Sequence, residues 1–149
     1  MSHKEYMEIA LAEAAIGRKK GNSPVGSIVV KDGTVVSKGH NLALSGMDIT
    51  AHAETVAIRN SGRLSLEGCT IYTTYEPCLM CAGAIVFAGI SIVVMGGNYN
   101  PNWGQYGDYS VDKAFQLVVR PEIQVVRGVL VEECEAITWA WRAEQSRKH

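Results

Sequence analysis

Between residues 25 and 130 the chain alternates short β-branched runs with apolar segments at helical spacing. This alternation limits the available folds more than any other feature. The first two runs, in VGSIVVKDGTVVSKGHN (25–41), flank an Asp-Gly dipeptide, a strong signal for a hairpin. Three more follow: CTIYTTY (69–75), ISIVVMGG (90–97) and EIQVVRGVL (122–130). Before the hairpin, Met7, Leu11, Ala14 and Ala15 recur at helical spacing over 5–19, and GNSP then breaks the helix. TAHAETVAIRNSG predicts a second helix entered at Thr50 and stopped near Gly62. Pro77 fits the first position of a third, CLMCAGAIVFAG (78–89). VDKAFQLV (111–118) and EECEAITWAWRAEQSRKH (132–149) complete the set. The order α-β-β-α-β-α-β-α-β-α predicts a sheet covered by helices on both faces.

The 149 residues suffice for one domain with a sizeable core. A formal net charge of -1 supplies no global basic field, which weighs against a large polyanion as substrate while leaving one open. MSHKEYMEIALAEAAIG lacks the apolar run and cleavage site of a signal peptide, and no stretch reaches the roughly 18 apolar residues of a membrane helix. Cysteines at 69, 78, 81 and 134 without a signal predict reduced thiols and a cytoplasmic location. Cys69 and Cys134 read as small packing residues.

The chemistry concentrates in TTYEPCLMC (73–81) and HAE (52–54). Cys78 and Cys81, at i and i+3 on a first helical turn, face one side, where the helix N-terminus favours thiolates. A redox dithiol would use the same geometry but leaves HAE unexplained. A closed structural zinc site needs a fourth ligand, and none stands at finger-like spacing. One His and two Cys give three protein ligands and an open fourth position, the pattern of a catalytic zinc. Two thiolates neutralise Zn²⁺ and mute it as a Lewis acid, so a carboxylate beside the open position must move protons. Glu54, at i+2 from His52, fits that neighbour rather than a ligand.

Through HAE and PCLMC the sequence resembles the zinc-dependent cytidine and nucleobase deaminases, whose H-x-E and P-C-x-x-C signature this is. The resemblance runs through VGSIVVKDG, GHN, TAHAE, CTIYTTYEPCLMCAGAI and the terminal helix. It implies a three-layer α/β/α sandwich with a central five-stranded mixed sheet, in which 1–149 form a single cytidine/deoxycytidylate deaminase-type catalytic domain. It further implies one Zn²⁺ per chain on His52, Cys78 and Cys81, Glu54 as the proton shuttle, hydrolytic release of ammonia, and a homodimer.

Within the family the signals diverge. SKGHN, SGRL and TIYTTYEPC resemble fungal-type cytosine deaminases, where the residue matching Asn41 bonds the base. AWRAEQSRKH resembles the tail of bacterial guanine deaminases, which places Asp108 near a base-binding acid. PCLMCAGAIV and RGVLVEECEA resemble tRNA adenosine deaminases, but the glycine-rich loop after the fourth strand and the basic, aromatic tail of that branch are missing. In their place stands NYNPNWGQYGDYS, whose Trp103, Tyr106 and Tyr109 can stack on a small heterocycle. The resulting expectation is a free nucleobase or nucleoside as substrate, cytosine-type first, contacted by Asn41, Ala53, Trp103, Asp108 and Tyr109. Guanine-type or triazine substrates, tRNA adenosine and a non-catalytic nucleobase-binding scaffold are the alternatives.

Overall fold

The computed structural model describes residues 1–98 and 107–148. Among these, helices and strands follow the expected order: α1 (His3–Lys19), β1 (Gly26–Lys31), β2 (Thr34–His40), α2 (Ala53–Asn60), β3 (Thr70–Tyr75), α3 (Leu79–Ala88), β4 (Ile92–Gly97), α4 (Val111–Leu117), β5 (Gln124–Val126) and α5 (Val131–Arg147). The five strands form one mixed sheet in the order β2-β1-β3-β4-β5. β1 is antiparallel to both β2 and β3, whereas β3–β4 and β4–β5 are parallel. Helices α1 and α5 pack on one face, and α2, α3 and α4 lie on the other. The expected three-layer α/β/α architecture is present.

Period-two alternation sorts the sheet residues between two cores. Val29, Ile71, Val93 and Met95 point toward α2 and α3, while Ile28, Val30, Tyr72 and Val94 point toward α1 and α5. β4 is buried on both faces, as its composition predicts. The hairpin turns at Asp32 and Gly33, both at positive φ (49° and 77°), as a two-residue turn requires. A capping box starts α1: Ser2 Oγ accepts from the Glu5 amide at 3.2 Å, and Glu5 Oε1 accepts from the Ser2 amide at 3.1 Å. Among the described residues no helix is long and apolar enough to cross a membrane. Cys69 and Cys134 are buried and free, and burial pushes the Cys134 thiol up to about 12.

Three boundaries differ from the sequence reading. α2 starts at Ala53 rather than Thr50, because Thr50 folds back on Asp48: Asp48 Oδ1 accepts from the Thr50 amide at 2.9 Å and from its hydroxyl at 2.6 Å. Pro77 lies outside α3, where Cys78 is the N-cap. β5 spans Gln124–Val126 instead of 122–130, since Arg127 turns away to acidic partners and Gly128 takes φ +80°.

Gly39 sets the distance between α2 and the sheet. A Cβ there would lie 2.4 Å from the Ala57 nitrogen and 2.8 Å from the Ala53 oxygen, both backbone atoms that cannot swing aside. Gly39→Ala should therefore lower stability by about 1–3 kcal/mol through overpacking. It should also weaken metal binding by displacing the start of α2. Urea unfolding read alongside metal content checks both, and a wild-type midpoint would contradict this account of the packing.

Candidate metal centre and active site

β2 and β3 run in the same direction on either side of β1, so their C-terminal ends reach one end of the sheet. The helices that follow them, α2 and α3, begin there. His52 is the N-cap of α2 and Cys78 the N-cap of α3, both with extended backbone, and neither side chain makes a capping hydrogen bond. Each is thereby left to point between the helices. Cys81, in the first turn of α3, adds a second, fully buried sulfur.

The His52 Nδ1 lies 3.4 Å from Cys78 Sγ and 3.6 Å from Cys81 Sγ. All the donor atoms of these three residues fall within 4.8 Å of one another, so the group is positioned to bind one metal ion. Zinc bonds of about 2.3 Å to sulfur and 2.0 Å to nitrogen, set at tetrahedral angles, require nitrogen–sulfur separations of about 3.5 Å. The spacing fits, and two soft thiolates with an imidazole are the donor set zinc selects.

The electrostatics favour the same ion. The Cys78 thiol is lowered to about 4, chiefly by the hydrogen bond from Cys81 and further by His52. That same bond, with burial, pushes Cys81 up, and the contact with Cys78 raises His52. A bound dication would favour the ionised form of both sulfurs. The N-terminal ends of both helices add positive potential toward the thiolates.

Glu54, in the first turn of α2, is 4% exposed. Burial pushes its carboxyl above the ordinary carboxylate range, partly offset by a hydrogen bond from the Thr73 hydroxyl. Thr73 also lies 3.1 Å from the Tyr75 carbonyl, which fixes its rotamer. The sequence reading passed over Thr73. Its signal is strand alternation: Thr73 follows Ile71 by two positions, and Ile71 faces the α2–α3 core.

The residues expected to meet substrate fall in different places. Ala53 is buried at the start of α2, next to His52. Asn41 is largely buried just beyond β2, where its Oδ1 accepts from the Ala43 amide at 2.9 Å and its backbone N–H donates to the Val25 carbonyl at 3.1 Å. The Tyr109 hydroxyl donates to the Pro77 carbonyl at 2.6 Å, beside Cys78, and burial raises its pKa. The Asp108 side chain is 99% exposed and pairs with Lys113 at 2.6 Å, so it is not drawn in with the cluster. Trp103 and Tyr106 lie outside the described residues.

Comparison with known proteins bears on the substrate. Residues 1–97 match the family model described as the cytidine and deoxycytidylate deaminase zinc-binding region. The tRNA-specific adenosine deaminase of Bacillus subtilis (strain 168) is 35% identical over 147 residues, covering 96% of this chain and 90% of that protein. A solved structure from a study of A-to-I editing by deaminases at the wobble position of transfer RNA has a TM-score of 0.76 at 31% identity. It covers 89% of this chain and 98% of that one. Guanine deaminase from Bacillus subtilis has a TM-score of 0.66 at 34% identity over 72% of this chain and 73% of its own. The cytosine-type free base or nucleoside expected from net charge and motif detail is overturned by the near full-length identity to tRNA-specific adenosine deaminases.

Purified protein should hold one zinc per chain by elemental analysis. Cys81→Ala and Cys78→Ala should lose most of it, while Cys69→Ala, in the core, should keep it. A full complement of zinc on Cys81→Ala protein would remove that residue from the ligand set.

Proposed function

Because this chain belongs to the cytidine and deoxycytidylate deaminase zinc-binding family, we propose that it converts adenosine to inosine in a transfer RNA. It is a zinc-dependent aminohydrolase; the adenosine and the RNA are the proposal. One observation carries the choice. Identity of 35% to the tRNA-specific enzyme of Bacillus subtilis extends over 96% of the chain and so includes most of the chain beyond the family region, whereas a guanine deaminase that covers 94% of it is 20% identical.

The reaction exchanges an amine for an oxygen. A bond forms between water oxygen and C6 of adenine, the C6–N bond breaks, and inosine and ammonia result. Zinc held by His52, Cys78 and Cys81 supplies, when bound, the Lewis acidity that makes water nucleophilic near neutral pH. Glu54 takes the proton from water and returns it to the departing amine. Its raised carboxyl suits both halves of that task, because the best proton carrier has a pKa near the working pH. Thr73 holds one carboxylate oxygen of Glu54, which fixes the carboxyl group beside the cluster. Asn41, Ala53 and Tyr109 border the base within this reading, and Trp103 and Asp108 belong to the segment that continues from it.

A net charge of -1 confines RNA attraction to local cations. Lys19 closes α1, whose Gly17 packs against Asn41, and Arg147 ends α5, while the neighbouring Arg18 is paired with Glu144. These lie at or near the metal-bearing end of the sheet, where phosphates flanking an inserted adenosine would run. The homodimer belongs to the same proposal, with Leu79, Phe87 and Leu117, all exposed, as its contact face.

An anticodon stem-loop with adenosine at the wobble position should yield inosine, while cytosine, guanine and guanosine release no ammonia under matched conditions. Affinity for the stem-loop should fall as salt rises. Glu54→Gln should retain zinc and bind the stem-loop, yet turn over about 10²–10⁴-fold more slowly. Ammonia from guanine with no inosine in any stem-loop would sink the RNA reading and leave the zinc chemistry standing.

A further inference from the structure

Glu76 takes no part in the metal cluster, yet it stands two residues before Cys78 and is 6% exposed. Both its carboxylate oxygens are held. Arg127 approaches as a fork, with Nη2 2.9 Å from Oε2 and Nη1 3.2 Å from Oε1, and the Val111 amide donates to Oε2 at 2.9 Å. The Glu76 amide donates to the Gly97 carbonyl at 2.9 Å. Arg127 extends further, from Nε to Asp112 Oδ2 at 3.1 Å and from Nη1 to Asn98 Oδ1 at 3.2 Å. Its Nη2 also contacts Asp112 at short range. Four segments therefore meet on one guanidinium: the turn from β3 into α3, the end of β4, the start of α4 and the loop after β5.

We propose that Arg127 is a positioning residue for the metal centre, acting through Glu76 on Cys78. A planar fork fixes the plane of a carboxylate as well as its distance, which a single point charge does not. Glu76 is followed by Pro77, whose ring locks one backbone torsion, so little freedom separates the held carboxylate from the Cys78 sulfur. The Tyr109 hydroxyl on the Pro77 carbonyl holds the same turn from the other side. Without Arg127, a buried carboxylate is stripped of the group that fixes it, and the turn must move to bring it to other partners or to water. That movement shifts the backbone that carries Cys78. The inference rests on the zinc site assigned above and is independent of which amine is removed.

The test follows zinc transfer to a chromophoric chelator well below the thermal midpoint, with circular dichroism confirming that each protein is folded. The set is wild type, Arg127→Lys, Arg127→Gln, Glu76→Gln and the double variant Glu76→Gln/Arg127→Gln. Arg127→Gln should release zinc about 10–100-fold faster, the range for losing a group that orients a metal ligand. Arg127→Lys should stay faster than wild type, because an ammonium cannot form the fork. The double variant should match Glu76→Gln alone, since Arg127 has nothing to act through once Glu76 is neutral. If Arg127→Gln does not fold, Arg127→Lys, which keeps the charge, decides alone. Wild-type release from folded Arg127→Lys and Arg127→Gln, even with lowered midpoints, would reduce Arg127 to a stabilising residue and overturn the proposal. So would a double variant whose effect is the product of the two singles. The readout is zinc alone, so failure of the RNA reading leaves this result untouched, and Cys81→Ala tests the zinc site separately.

Discussion

The separation of about 3.5 Å between an imidazole nitrogen and two sulfurs is the constraint on which the rest of this structure depends. It is met by two helices that start at the same end of one sheet. β2 and β3 are separated by β1, so the chain must close a gap of two strand spacings, about 9–10 Å, with side chains and helix entries. Gly39 lets α2 sink onto the sheet, and the parallel β3–β4 crossover sets α3 beside it. The hairpin enters the same account. Because β1 is antiparallel to both neighbours, β2 and β3 run the same way, and their following helices open toward a common point. Strand order and metal geometry are two descriptions of one arrangement.

Much of this was legible in the sequence because the signals are local. Asp32-Gly33, the apolar runs and the i, i+3 cysteines each carry their meaning within a few residues, and the element order followed. What was misread depends on contacts between distant segments. The Asp48–Thr50 turn delays α2 by three residues, so that His52 becomes a cap instead of a first-turn residue. Arg127 sits inside a β-branched run, and only its pull toward Glu76, 51 positions earlier, ends β5 early. Thr73 and Glu54 meet across the α2–β3 boundary, which no spacing rule joins.

The substrate was misjudged for a related reason. Net charge is a global quantity, whereas a nucleic acid is recognised by a few cations at one edge. With Lys19 at the end of α1 and Arg147 at the end of α5, a chain of charge -1 still carries cations at that end. Asn41 illustrates the same limit. Its side-chain oxygen accepts from the Ala43 amide, a contact that orients the side chain and that residue type alone does not reveal.

The cluster also explains why a carboxylate must stand beside it. Ser, Asp and Asn are the usual N-cap residues, since their oxygens satisfy the free amides of a first turn. Here both caps are residues positioned to bind a metal ion, and both forgo that bond. The helix ends favour negative charge and so favour the thiolates. Two thiolates and a neutral imidazole cancel the charge of Zn²⁺, which leaves the metal centre neutral and limits how far it can acidify water unaided. The missing drive has to come from a nearby group that gains a proton readily. In the reaction proposed above that group is Glu54, whose carboxyl burial raises above the ordinary range and which accepts from the Thr73 hydroxyl. The same low-dielectric surroundings that make an isolated carboxylate costly in this position would then fit it to exchange protons there.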